Sequence, residues 1–333
     1  MSTSDICKIC KDGASKSNDG DACELEEKLQ NMSTSNVSVC ANCGKQGSSD
    51  EISNICNKCK QVKYCNAACK KKHRHKHKKQ CERQVAELHD EKLFKQPPPK
   101  EDCPICFLRL PYLNIGSRYM SCCGKVICSG CMYAPVYDNQ GNEVNNKKCP
   151  FCRTPDPITQ EETNEREKKR LKVGDCQAFL NIGYKYFNGR FGFPQDRTKA
   201  LELFHRAGEL GYGTAYNSIG NAYEFGVGVE IDKKKAIHYY ELAAMGGNVA
   251  ARHSLGNEEI RAGHYERAIK HYMIAVTVGY DDSLKIIQKM YKHGDASREV
   301  YTKALQLYQS YLGEIKSDQR DNAAAANDEY RYY

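Results

Sequence analysis

The sequence has no tryptophan and no long apolar run, and beyond residue 152 it carries a single cysteine, Cys176. No stretch approaches the roughly 18 to 20 apolar residues that a spanning helix needs, and the mean hydropathy is -0.72, so a membrane protein is excluded. The opening residues MSTSDICKIC lack the basic-then-apolar pattern of a secretory signal, which points to cytoplasm or nucleus. Also missing are a Ser-His-Asp arrangement, a phosphate-binding glycine loop and a metalloprotease helix; Gly226-Val227-Gly228 belongs to a repeat turn. Hydrolase and nucleotide-dependent chemistry are therefore poorly supported.

What the chain does have is cysteine. Of 19 in 333 residues, 18 lie between Cys7 and Cys152. An odd total, repeated C-x2-C pairs and a reducing compartment argue for zinc thiolates rather than disulfides.

Composition divides the chain further. Residues 1–39 are rich in Ser, Asn, Asp and Gly and are expected to be disordered. A Cys/His block at 40–81 is followed by a helix and Pro-rich linker at 82–102, where Pro97, Pro98 and Pro99 favour stiff polyproline II. A second Cys block fills 103–152, a charged helical linker 153–173, and the tail 316–333 reads as frayed or disordered. Cys7-x2-Cys10 with Cys23 makes only an incomplete third site.

Between 174 and 315 the sequence repeats. Ala200, Ala236, Ala268 and Ala304 are separated by 36, 32 and 36 residues, and Lys199, Lys235, Arg267, Lys303 and Phe204, Tyr240, Tyr272, Tyr308 keep the same intervals. Gly183, Gly220 and Gly256 precede these columns, so each unit is two helices and a turn. The interval of 32 predicts a shortened turn after Gly263. The small residues let backbones approach, and the aromatic is expected to fill the space between neighbouring units. Four such units bury a continuous core, the fourth reading as a cap because Gln288 and Tyr311 break the pattern. The segments A178-F-L-N-I-G183, D196-R-T-K199-A200 and D232-K-K-K235-A236 resemble the Sel-1-like repeats of the tetratricopeptide superfamily, which implies an all-α solenoid with a scaffold or peptide-binding role. The overall expectation is a multidomain chain, two small zinc-stapled modules followed by that solenoid.

In the first block, Cys40-x2-Cys43, Cys56-x2-Cys59, Cys65-x3-Cys69 and His77-x3-Cys81 offer eight ligands, which suits two tetrahedral ions. His73 and His75 compete with His77, but only His77 has the x3 spacing to Cys81. The order resembles the MYND zinc finger. That resemblance implies interleaved sets, Cys40, Cys43, Cys65 and Cys69 on one ion and Cys56, Cys59, His77 and Cys81 on the other, and docking of short proline-containing peptides. Arg74 stands where such fingers usually carry Trp. The run KKKHRHKHKK, Lys70 to Lys79, invites a nucleic-acid reading. Fifteen thiolates and four Zn²⁺ would lower the formal charge of +8 to about +1, so a solvated helix face is the preferred reading and specific nucleic-acid binding is disfavoured.

In the second block, Cys103-x2-Cys106, Cys122-Cys123, Cys128-x2-Cys131 and Cys149-x2-Cys152 again offer eight sulfurs. The arrangement resembles an all-Cys RING finger, implying Cys103, Cys106, Cys128 and Cys131 on one ion and Cys122, Cys123, Cys149 and Cys152 on the other. The vicinal pair is expected to strain the backbone, and Lys125 occupies a place where many RING fingers have a His. RING fingers recruit a ubiquitin-conjugating enzyme; the matching contact positions are Ile105, Pro150 and Arg153. Pro135 is expected to break the central helix.

Two function classes follow: a RING-type ubiquitin ligase that selects substrates through its repeats and MYND-like finger, or a non-enzymatic adaptor joining partner proteins. In both, four zinc ions are structural and no side chain is catalytic.

Overall fold

In a computed structural model of the chain, residues 38–97, 101–112, 116–137, 140–144 and 148–332 are described. Residues 1–37, with Cys7, Cys10 and Cys23, and residues 98–100 of the Pro-rich stretch lie outside them. Two compact units are present, Met1–His89 and Asp90–Tyr333.

The first unit is built from two minimal hairpins and the start of a long helix. Strands β1 (Ser38–Val39) and β2 (Gln46–Gly47) pair antiparallel, as do β3 (Asn54–Ile55) and β4 (Lys63–Tyr64). Two-residue strands cannot hold themselves together; Ile52, Tyr64 and the buried cysteines Cys40, Cys59 and Cys81 supply the interior. Helix α1 spans Ala67–Leu93. Asn66 caps it, its Oδ1 accepting from the Cys69 N–H at 2.8 Å.

The second unit opens where α1 ends. Arg252 is fully buried and donates to the carbonyls of Leu93 (2.7 Å) and Lys95 (3.0 Å), satisfying orphan acceptors at the helix terminus. Burial lowers its pKa to about 10, still charged at neutral pH. Phe94 lies against His271 and beneath Arg267. The chain just before the Pro-rich stretch is thus anchored on the repeats through Leu93, Phe94 and Lys95.

The second Cys block forms the hairpin β5 (Ser117–Met120) and β6 (Lys125–Cys128), the short helix α2 (Ser129–Tyr133), and the hairpin β7 (Val136–Tyr137) and β8 (Glu143–Val144). Ala134, just before Pro135, is extended at φ -52°, ψ 129°, as a residue preceding proline prefers. The proline ends the helix rather than breaking it.

Helices α3 (Gln160–Lys172), α4 (Cys176–Asn188), α5 (Arg197–Glu209), α6 (Gly213–Phe225), α7 (Lys233–Met245), α8 (Val249–Arg261), α9 (Tyr265–Val276), α10 (Asp281–His293) and α11 (Arg298–Ile315) follow. The repeated Asp of the D-x-x-K-A pattern has a physical role: Asp196 and Asp232 are N-caps accepting from the N–H groups of Lys199 and Lys235. Helices α4 and α6 stop at Gly189 and Gly226, both left-handed. The shortened turn is present, three residues between α8 and α9 against seven between α6 and α7.

The aromatic column clusters with the next unit as expected, Phe204 with Ala215 and Ile219, Tyr240 with Ala251 and Leu255, and Tyr272 with Ile287 and Met290, and it also packs within its own unit. A Cβ on Gly183, Gly220 or Gly256 would sit 2.5 to 2.6 Å from the rings of Phe204, Tyr240 or Tyr272. Each ring therefore closes the gap between the two helices of its own unit. Where Gln288 replaces the glycine, its amide donates to the Tyr301 hydroxyl at 3.1 Å instead. The charged connector α3 is also packed: Glu167 and Asn164 are buried against Lys185 of α4.

The tail is the largest departure from expectation. Residues read as disordered form α12 (Asp318–Ala326) and a 3-10 turn, Asp328–Tyr330. Arg320 is fully buried, its guanidinium donating to the carbonyls of Arg109 (2.8 Å), Leu108 (3.3 Å) and Ile315 (2.7 Å). Tyr332 joins Tyr311 and Ile315 in a small core, and the Tyr311 hydroxyl accepts from the Tyr112 N–H at 2.8 Å. Tyr311, which breaks the repeat pattern, is thus a docking point for the second finger rather than a feature of a free polar cap.

Gly220→Ala is expected to destabilise the second unit by about 1–3 kcal/mol, the usual cost of overpacking, in urea denaturation followed by circular dichroism. Because the clash is with the Tyr240 ring, combining it with Tyr240→Leu should cost less than the sum of the two single changes.

Candidate metal centres

Four chain segments share one local geometry. In Cys40–Cys43, Cys56–Cys59, Cys103–Cys106 and Cys149–Cys152, the residue after the second cysteine donates its N–H to the first cysteine's carbonyl, at 2.9 to 3.0 Å. That residue is Gly44, Lys60, Phe107 or Arg153, with φ of 73°, 56°, 57° and 61°. A left-handed residue other than glycine is strained. Three of the four non-glycine residues with positive φ among those described stand at this one position. The first cysteine's N–H is bound in turn by the carbonyl of Lys45, Val62, Leu108 or Thr154. The result is a tight knuckle that turns two sulfurs in one direction.

The knuckles meet the remaining cysteines in four groups. Cys40, Cys43, Cys65 and Cys69; Cys56, Cys59, His77 and Cys81; Cys103, Cys106, Cys128 and Cys131; and Cys122, Cys123, Cys149 and Cys152 each hold their ligand atoms within 4.8 Å of one another. Individual separations include Cys43 to Cys65 at 3.7 Å, Cys56 to Cys81 at 3.6 Å, Cys106 to Cys128 at 3.7 Å and Cys122 to Cys152 at 3.4 Å. A tetrahedral ion with Zn–S bonds of ~2.3 Å requires S···S edges of ~3.8 Å. The donor sets fit such an ion, and the cysteines are free thiols.

In the first finger, α1 explains the second set. His77 and Cys81 are one turn apart on one helical face, and the His77 Nε2 lies 3.3 Å from Cys59 Sγ. His73 faces the Tyr64 hydroxyl at 3.2 Å and His75 is exposed, so His77 alone of the three histidines joins the cluster.

In the second finger, the vicinal cysteines sit in the turn between β5 and β6. Gly124 and Cys123 both donate to the Met120 carbonyl, at 2.7 and 3.2 Å, and the positive φ, 72°, falls on Gly124. The strain expected at Cys122 and Cys123 is therefore absorbed by the glycine after them. Lys125 lies exposed at the start of β6, outside the cluster.

Electrostatics within the sets are divided. Cys40 is lowered to about 6, chiefly by the Cys65 backbone N–H, and Cys103 to about 4, chiefly by a hydrogen bond from Cys128. Burial, reinforced by neighbouring sulfurs, pushes Cys65 and Cys131 up to about 12. Sulfurs this close cannot all ionise unaided, so full ionisation requires a cation at the centre.

The RING-like contact positions are accessible: Ile105 is 37% exposed, Pro150 half-buried and Arg153 exposed. Beside them stand residues the motif reading missed, Phe107 at 77% and Phe151 at 44% exposure. Their signal was present in the sequence, since an aromatic inside or just after a C-x2-C knuckle has no core to enter.

Comparison with known proteins bears on the first finger and the repeats. Residues 40–81 match the MYND finger family, and residues 178–212, 214–248 and 289–310 match the Sel1 repeat. The chain therefore carries a MYND finger and an all-helical Sel1 solenoid. Mouse Protein sel-1 homolog 2 is 27% identical over 129 residues, covering 33% of this chain and 19% of the relative. The Arabidopsis thaliana E3 ubiquitin-protein ligase DA2 is 45% identical over 130 residues, covering 36% of this chain and 31% of that ligase. The chain thus spans less than a third of the length of either relative. A Sel1 repeat protein from Oxalobacter formigenes is 26% identical, with a TM-score of 0.40, over 52% of this chain and 67% of the other.

Gly44 has nothing within 4 Å of an added Cβ, so Gly44→Ala tests the left-handed backbone alone. It is expected to lower the finger's stability by about 1–2 kcal/mol, read as a fall in the chelator concentration that releases half the metal. Lys60→Gly should not lower it.

Proposed function

We propose that the chain is a zinc-holding interaction scaffold whose second finger serves as a RING-type ubiquitin-ligase surface. The carrying observation is the conjunction of two closed Cys₄ sets with Ile105, Pro150 and Arg153 accessible on their knuckles. The likeness to DA2, and to the rice E3 ubiquitin-protein ligase GW2 at 35% identity over 86 residues, supports it.

The sixteen ligands would hold four zinc ions, each ringed by four protein donors and so left no open position for water. Zinc would supply folding free energy to the fingers, not a Lewis acid for the reaction. The chain's own residues would act by positioning. Ile105 offers an apolar contact to a conjugating enzyme, Pro150 stiffens the opposite knuckle, and Arg153, held left-handed just after the last ligand, projects a fixed cation toward the transferred ubiquitin. The MYND finger and the solenoid would choose what is modified. Unoxidised cysteines in this number suit a reducing compartment, consistent with cytoplasm or nucleus.

A second reading, a non-enzymatic adaptor, is favoured by one observation. The central helix α2, which in RING fingers supplies a large contact residue, is faced by the chain's own tail: a Cβ on Gly130 would meet Arg320 and Gln319 at 3.1 Å, and the Tyr133 and Tyr330 rings are 6.2 Å apart.

Native mass spectrometry is expected to count four zinc ions per chain. In ubiquitin transfer assays with a panel of conjugating enzymes, Ile105→Ala should abolish transfer with zinc content unchanged, and Cys106→Ser should lose both. Absence of transfer by the wild type with every enzyme tried would make the adaptor reading the correct one.

A further inference from the structure

The basic run from Lys70 to Lys79 reads in sequence as a solvated helix face. In the structure it forms one wall of an open cavity of about 710 Å³ in the first unit, whose floor is Cys56, His77 and Cys81 of the second ligand set. Lys70, Lys71, Arg74 and Lys78 line it from α1, and Lys58 lines it from the Cys56–Cys59 knuckle; the single carboxylate in the lining is Glu82. Lys70, Arg74 and Lys78 recur every fourth residue, so they stack along one stripe and repel each other.

Three features argue that the stripe is not ordinary surface charge. It occupies the N-terminal half of α1, whose first turn has no acidic residue, although a helix N-terminus disfavours cations. Among the described residues, Lys58, Lys71, Arg74 and Lys78 have no ion-pair partner, whereas Arg83 further along the same helix pairs with Glu87 at 3.5 Å. Lys70 is held by the Asn57 amide oxygen at 2.7 Å, which is a neutral partner. Finally, the Cys₃His set at the floor of the cavity, with a divalent ion, would keep one net negative charge, far short of balancing five cations.

The chemistry of the walls distinguishes between anionic partners. Proteins that hold single-stranded nucleic acid offer exposed aromatic faces on which bases stack. Here the one tyrosine in the lining, Tyr64, is 1% exposed and bound to His73, which leaves the His75 imidazole as the single exposed ring of the lining. A concave pocket is also the wrong shape to enter a duplex groove. We infer that this cavity receives an acidic segment of a partner protein, its carboxylates lying against Lys58, Lys71, Arg74 and Lys78. Arg74, standing where a MYND finger usually carries Trp, then exchanges an apolar peptide contact for a charged one. The inference holds whether or not the second finger transfers ubiquitin.

Fluorescence anisotropy on the zinc-loaded full chain tests it with a fluorescein-labelled oligoglutamate hexapeptide, an oligoglutamine hexapeptide as control and an oligouridylate of matched charge as competitor class. Saturable binding of the oligoglutamate, weakening with salt, and none of the oligoglutamine is the expected result. Lys71→Glu with Arg74→Glu, both exposed and neither a ligand, should reduce affinity at least about tenfold with zinc content and helicity unchanged. Should that variant lose zinc, Lys58→Glu on the knuckle carries the same test. Failure of the oligoglutamate to bind, equal binding by the variants, or tighter binding of the oligouridylate lost in the same variants would each overturn the inference.

Discussion

The fingers depend on one constraint: in each, two sets of four donors must be held at contact distance although the sulfurs repel one another as they ionise. The strands are only two to four residues long and the buried residues are largely the cysteines themselves, so no conventional core could impose that arrangement. The knuckle turn prepares half of each set, at the cost of placing Lys60, Phe107 and Arg153 in a left-handed conformation that a side chain resists. Each set contains a thiol lowered well below its ordinary value (Cys40, Cys56, Cys103 and Cys152) beside at least one raised above it (Cys65, Cys81, Cys131 and Cys123). A central divalent charge would let all four donors of a set ionise together.

The repeats answer to a different constraint. Their cohesion comes from glycine backbones lying under aromatic rings and from Asp caps that start the second helix of a unit. Two buried arginines tie the repeats to segments outside or beyond them. Arg252 satisfies carbonyls at the end of α1, and Arg320 satisfies carbonyls from the second finger and from the end of α11. Each guanidinium offers several donors in a fixed plane, which lets one side chain close several acceptors that no helix or sheet pairs. The second finger and the repeats consequently form one packed body within residues Asp90–Tyr333.

Much of this is legible in the sequence because the signals are short and periodic. Ligand spacing selects His77 over His73 and His75, and three columns in register mark the helical pairs. Less legible are features that depend on distant partners. The tail SDQRDNAAAANDEY is polar enough to read as disordered, and only the carbonyls of Leu108 and Arg109, some two hundred residues away in sequence, make Arg320 worth burying. The aromatic column is legible as filler between units, but spacing alone does not show that each ring also lies over the glycine of its own unit's first helix. The basic run was read as a solvated face because charge order alone does not show that Lys58 closes a cavity opposite it.

Zinc K-edge X-ray absorption on the purified full chain tests the central claim most directly, since it reports the ligands and their distances without perturbing them. Four closed sets require four-coordinate zinc with a sulfur-dominated shell at ~2.3 Å and a minor nitrogen contribution from the single histidine. A shell with substantial oxygen, or with clearly fewer than four protein donors per ion, would contradict the account, because it would leave cysteines of these clusters unused.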